Sequence, residues 1–300
     1  MKRMILLPLL AGAVGAAEPT VSLLPFAGYL GYGSQSAKES GLFAGLYGYI
    51  GKESQSLELQ YAYTDISYRD GVDDLIQSDL TALYSKKIGE RTRLKAGIHY
   101  IDSDDTFTDG GTTLILGADH RTEGGYDTGI GLYYTRYGNF NPSLAVWQVT
   151  PSVTKSLAQN WSLEAAYTFI TFRSEKITET VLGMGSMMGS MGRRTHTIVT
   201  YDEYTDTYHS GELSLTYSEG AMHSTASLWL GKQAFAVRDG GFSVFNLAEI
   251  HKGGISLQTR YAYSERSTLS AALFYERFTD TQTGDDSGVT GVWVSYGYRF

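Results

Sequence analysis

The chain has 300 residues, with 23 tyrosines and 35 glycines but only 5 prolines and no cysteine. Twenty-four basic residues against 32 acidic ones give a net charge of −8, which speaks against a nucleic-acid surface, and the 19% of charged residues falls below the roughly 25% of soluble domains. Without cysteine there can be no disulfide framework, thiolate metal site or lipidated N-terminal cysteine.

The chain opens with Lys2 and Arg3, an apolar run from Met4, and the small residues Gly15, Ala16 and Ala17 before Glu18. A basic start, a short apolar core and a small-residue end predict a cleaved secretory signal peptide over 1–17. The run is too short for a membrane helix, and no later stretch approaches the roughly 18 apolar residues such a helix needs. Cleavage would remove two bases and make the exported chain more acidic.

After the leader the recurring period is two. The first two strands, near 24–33 and 41–51, show no clear facing. Next, Leu57, Leu59, Tyr61 and Tyr63 alternate with Glu58, Gln60 and Ala62. Leu94, Ala96, Ile98 and Tyr100 alternate with Arg93, Lys95, Gly97 and His99. The pattern returns in Trp161, Leu163, Ala165, Tyr167 and Phe169, in Leu213, Leu215 and Tyr217, and in Ile255, Leu257, Tyr261 and Tyr263. Successive strand side chains point to opposite faces, so each segment has one apolar and one polar side. A soluble sandwich would show this too. Two features favour a membrane: the segments run about ten residues, as tilted transmembrane strands do, and aromatic residues gather at their ends as interfacial girdles. Tyr61, Tyr63, Tyr134, Trp147, Trp161, Tyr167, Phe169, Tyr261, Tyr263, Tyr296 and Tyr298 are such positions.

Connections alternate in length. Short ones fall at 52–55, 89–92, 123–125, 158–160, 219–221 and 265–267. Long ones fall at 34–40, 70–74, 102–110, 138–144, 173–204, 238–253 and 280–288. Short periplasmic turns against long external loops describe a bacterial barrel. Thirteen links predict an all-β, antiparallel up-and-down transmembrane barrel of about 14 strands, within a range of 12–16, as a single domain over 18–300.

At the C-terminus Val292, Val294, Tyr296, Tyr298 and Phe300 alternate with Gly291, Trp293, Ser295, Gly297 and Arg299. This resembles the C-terminal signature strand of bacterial outer-membrane proteins. The resemblance implies that Tyr296, Tyr298 and Phe300 are read by the barrel-assembly machinery, and that the chain crosses the periplasm to an outer membrane of lipid and lipopolysaccharide. Length and strand count resemble the porin-like monomeric 14-stranded barrels. The first strand follows the leader so closely that no folded plug of a TonB-dependent receptor, or N-terminal hatch of a long-chain fatty-acid transporter, fits before it.

By parity, Glu58, Gln60, Arg93, Lys95, His99, Gln148, Thr150, Glu164, Glu212, Gln258, Arg260, Glu276 and Arg299 face inward. Eight strands are filled by side chains and 16 to 18 leave a water channel, so 14 allows a pore that a loop can narrow. The expectation is a channel for passive diffusion of small polar solutes, restricted by the 173–204 loop. The alternative for the inward charges is that they pair across strands and block conduction. Acidic loops (Asp70, Asp73, Asp74; Asp102, Asp104, Asp105, Asp109; Asp202, Glu203, Asp206; Asp280, Asp285, Asp286) predict a weak preference for cations. They could also hold divalent cations, or simply be solvated.

Met184, Met187, Met188 and Met191, with His196 nearby, offer soft thioethers for Cu(I) or plain adaptable filler. A hydrolase would need a nucleophile beside a histidine. His209-Ser210 and His223-Ser224 are adjacent in strands and so face apart, and His99, His120, His196 and His251 are scattered. The expectation is therefore no enzyme and no cofactor. An adhesive or structural surface barrel with ligand-binding loops is the other functional class.

Overall fold

The computed structural model describes residues 19–69, 73–106, 108–139, 143–182, 196–245, 249–280 and 284–300, with 174–182 and 196–205 described as backbone only. The predicted leader 1–17 and the methionines Met184, Met187, Met188 and Met191 lie outside them.

The strands are β1 (Thr20–Tyr32), β2 (Lys38–Lys52), β3 (Gln55–Tyr68), β4 (Leu75–Ile88) and β5 (Thr92–Ser103). There follow β6 (Thr112–Arg121), β7 (Tyr126–Tyr137), β8 (Leu144–Ala158), β9 (Trp161–Leu182), β10 (His196–Glu219) and β11 (Met222–Gln233). Two short strands, β12 (Val237–Arg238) and β13 (Ser243–Val244), precede β14 (Glu249–Ala262), β15 (Ser267–Asp280) and β16 (Asp286–Arg299). All but β12 and β13 form one closed antiparallel barrel of 14 strands, in sequence order around the circumference. β16 returns to β1, from Ser22↔Arg299 to Tyr32↔Val289, and seals the seam. In hydrocarbon every backbone N–H and C=O needs an internal partner, and closure supplies it.

The barrel is inside out relative to a water-soluble protein. Leu42, Leu116, Trp147, Leu230, Ile255 and Val294 are each more than half exposed, all on the outer face. Such a continuous apolar surface suits acyl chains and not water. No helix among the described residues is long and apolar enough to cross a membrane; the strands cross it.

β1 and β2 gave no facing in the sequence because both of their faces are apolar. Outward stand Leu23, Tyr29, Leu42 and Leu46. Inward, half-buried, stand Leu24, Phe26, Leu30 and Phe43. Glycines make room for these rings: Gly28 lies between Phe43 and Trp293 in one cross-strand row, and a Cβ there would run into the Phe43 ring.

The connections fall where expected, with two corrections, at 173–204 and at 238–253. Residues 173–182 and 196–204 are not part of a loop folded into the lumen, because β9 and β10 stay paired from Tyr217↔Trp161 out to His196↔Leu182. β8 pairs with β9 only as far as Arg173, so the two strands continue beyond it as a ribbon. What enters the lumen is the connection after β11.

Candidate functional site: a lumen crossed by an inward segment

At Gln233 the chain leaves the wall and turns inward, and Ala234, Phe235, Ala236 and Val237 are all buried. β12 and β13 then pair around a short 3-10 turn, Asp239–Gly241, making a small hairpin inside the barrel. Phe235 and Asp239 take left-handed φ values of 52° and 51° without being glycine. Each such residue costs on the order of 1–3 kcal/mol and persists only where its surroundings fix it.

Those surroundings are the upper inner wall, toward the longer connections. Leu83, Ile101, Ile115, Tyr133, Tyr137, Leu144, Val146, Ile170, Phe172 and Tyr208, from seven consecutive strands β4–β10, form one apolar cluster with Phe235, Val237 and Val244. The expected polar lining is thus replaced in this half by a packed core. Gln148 donates to the Val237 carbonyl at 2.6 Å and accepts the Val237 N–H at 2.8 Å. Farther along, Gly241 lies against Ile115, Gln60 donates to the Phe242 carbonyl at 3.0 Å, and Phe242 meets the Tyr47 ring edge-on. The segment therefore reaches from β11 across to β2, β3 and β6.

Its charged anchor is Arg238. The guanidinium lies 4.6 Å from the Trp229 ring and 4.2 Å from the Phe245 ring. It donates to Glu276 at 2.5 Å and to Gln233 at 2.9 Å. Glu276 also meets His251 Nδ1 at 2.8 Å, and nearby Lys38 pairs with Glu249 at 2.7 Å, both buried. Buried charges are tolerated when paired in this way.

The inward-facing residues divide into two groups. His99 and Glu276 are sealed in the upper half; Gln60 and Gln148 hold the segment. Toward the short-turn end, Glu58 accepts from Tyr47 at 2.6 Å, Glu164 from Thr154 at 3.2 Å and Glu212 from Ser214 at 3.2 Å. Lys95 pairs with Asp119 at 2.7 Å. Arg93, Arg260 and Arg299 are exposed on this lower side, as is Asp239 at the segment tip. The lower lumen is open and mixed in charge, the upper lumen closed. Sequence reasoning missed Phe235 and Arg238; the apolar run Ala234-Phe235-Ala236-Val237, which breaks the period of two just before the predicted 238–253 loop, was the available signal.

One arrangement has the order of a hydrolytic triad: Thr81 Oγ1 lies 2.8 Å from His99 Nδ1, and His99 Nε2 lies 3.0 Å from Asp79. Thr81 and His99 have no exposed surface, so no substrate reaches the hydroxyl; the trio satisfies buried polar groups. His209 faces outward to Tyr167 while Ser210 is buried inward against Gln233, as strand parity requires. Among the acidic loops, Asp104 accepts the Ile76 N–H, Asp109 the Ser103 N–H and Asp74 the Tyr68 N–H. Asp280 is buried against the Ala37 N–H. Among the described residues no three His, Asp or Glu groups come together to hold a metal ion. Tyr296 bonds Tyr263 through their hydroxyls, Tyr298 packs on Phe300, and the Phe300 N–H donates to Val21 across the seam.

The geometry defines a transmembrane β-barrel with an internally folded segment. No protein-family model and no curated protein matches the sequence. Solved structures do match. The CymD monoaromatic hydrocarbon channel aligns with TM-score 0.59 and 9% identity over 95% of this chain and 89% of that one. The toluene transporter TbuX of Ralstonia pickettii aligns with TM-score 0.57 and 9% identity over 95% and 90%. The toluene transporter TodX of Pseudomonas putida aligns with TM-score 0.56 and 8% identity over 95% and 90%. At such identity the likeness shows the shared fold, that of outer-membrane barrels.

Proposed function

We propose that the chain is exported by its leader to the bacterial outer membrane and forms a channel there for small solutes, closed in this state by residues 234–245. The observation that carries this reading is the division of the lumen, a water-exposed lower half ending on a segment packed across the upper half. Fourteen strands enclose more interior than wall side chains alone fill, and here a loop takes up the space. Glu58, Glu164 and Glu212 form no ion pair among the described residues, and Asp239 stands exposed near Glu212. This set supports passive diffusion of polar solutes with a weak preference for cations. Planar-bilayer recordings of the intact chain and of a variant with 235–244 replaced by a short Gly-Ser linker test it. Small, intermittent currents are expected from the first and steady, mildly cation-selective currents from the second. Silence from both would overturn the reading.

A second reading, passage of small apolar solutes, is favoured by one specific feature. The inward row of β2, β1, β16 and β15 places Phe43, Gly28, Trp293 and Ala272 side by side, flanked by Phe26 and Phe274. The similarity to channels described as carrying monoaromatic hydrocarbons and toluene points the same way. Toluene entry into vesicles, with and without the protein, separates this from the first reading.

A further inference from the structure

The wall around Arg238 is built like a receptor for a planar cation. Trp229 and Phe245 offer two ring faces within 5 Å of the guanidinium carbon. The Glu276 carboxylate and the Gln233 amide oxygen accept from its edge. Glu276 is held by His251 on its other side, so the carboxylate stays in place whether or not the arginine is there. Gln233 is fixed in turn by donating to Ser210 at 2.6 Å. Stacking faces plus edge acceptors match a guanidinium and match an ammonium poorly, because only the planar ion can stack and donate together. Arg238 does not use its whole edge: Nη2 is buried without a hydrogen-bond partner among the described residues. Leaving a charged donor unmet is costly and weakens the hold of the resident side chain.

We propose that this cage is a guanidinium-binding site, filled in the closed state by the chain's own Arg238, and that its occupancy latches residues 234–245 across the lumen. The inference rests on the channel reading for its consequence, though not for the site itself. Trp229, Gln233 and Glu276 belong to β11 and β15, whereas Arg238 and Phe245 travel with the inward segment. Releasing Arg238 therefore frees the segment's one ion-paired anchor among the described residues and leaves Gln148, Gln60 and the apolar contacts to hold it.

The experiment uses the full-length Arg238→Ala variant with methylguanidinium as the probe. Heat-modified gel mobility and circular dichroism first establish that its barrel is folded, with Arg238→Lys as a milder second variant. Losing a partner from a buried charged pair shifts such an equilibrium by at least about tenfold, so the open fraction in bilayers should rise by that order in Arg238→Ala and by less in Arg238→Lys. Methylguanidinium at tens of millimolar should return the Ala variant toward closure, sodium at equal ionic strength should not, and adding Glu276→Gln should abolish the rescue. If Arg238→Ala stays as closed as the native chain while the linker replacement conducts, the latch is overturned and the channel reading stands. If nothing conducts, the cage is judged by fluorescence, as the difference between Arg238→Ala with and without Trp229→Phe. A saturable methylguanidinium-dependent change at Trp229 supports the site, and its absence ends the proposal.

Discussion

Gln148 on β8 holds the peptide of Val237 from both sides, its amide nitrogen donating to the carbonyl at 2.6 Å and its amide oxygen accepting the N–H at 2.8 Å. The arrangement copies a strand-to-strand pairing with a side chain in place of a backbone. Both polar groups of Val237 lie in the apolar cluster, where nothing else would satisfy them.

Gln148→Leu keeps the bulk and removes both bonds. A buried peptide group left unsatisfied costs about 1–3 kcal/mol, so the segment should open locally while the barrel stays closed. Amide hydrogen exchange at Val237 and Arg238 is expected to accelerate by about tenfold or more, with exchange on β5 and β6 unchanged. Equal rates in both proteins would show that the apolar packing alone holds the segment.

The Thr81–His99–Asp79 trio satisfies buried polar groups of the wall, and that role has a measurable consequence. His99→Leu should strand Asp79 with Gln77 alone and cost about 1–3 kcal/mol. Thr81→Ser, which keeps the hydroxyl, should cost less than Thr81→Val. Thermal unfolding in detergent, followed by gel mobility, reports both. Ester hydrolysis lost on substituting His99 would contradict the structural role.

Strand count, closure and most facings were legible because the pleat forces alternate side chains apart, and one face must be greasy. Facing does not give burial. His99 and Glu58 both point inward, yet His99 is sealed and Glu58 is not, and the difference is made by a segment more than a hundred residues downstream. The pairing of Gln148 with Val237 likewise joins positions 89 apart, with no local mark in either stretch. The ribbon beyond Arg173 is not legible as strand in the sequence, because a ribbon clear of the wall needs no continuous apolar face.

Gly28 tests the seam. It sits between Phe43 and Trp293 where β1 closes on β16, and an added side chain meets the Phe43 ring and the Val292 carbonyl. Overpacking of this kind costs about 1–3 kcal/mol. Gly28→Val should lower the temperature of heat-induced gel shift, and Gly28→Val with Phe43→Ala should recover part of it. No recovery would mean that the damage lies in the backbone and not in the ring contact.

If the proposed channel conducts, charge selectivity follows most directly from the lower lumen. Glu58, Glu164 and Glu212 accept from hydroxyls of their own wall, so their charge is left to the water of the passage. Arg93 and Arg260 oppose them from other strands, which keeps the net preference small. A unit charge about 10 Å from an ion in water contributes roughly 0.4 kcal/mol, near a factor of two in occupancy. Replacing all three by glutamine in the linker-replaced channel should therefore lower the cation-to-anion permeability ratio by at least about twofold, enough to reverse a weak preference. Reversal potentials across a tenfold gradient of potassium chloride measure it. The effect should shrink at high salt, because screening shortens the reach of each carboxylate to a few ångströms. Arg93→Gln with Arg260→Gln should push the ratio the other way, so that the two sets together show whether the wall or the acidic mouth sets selectivity.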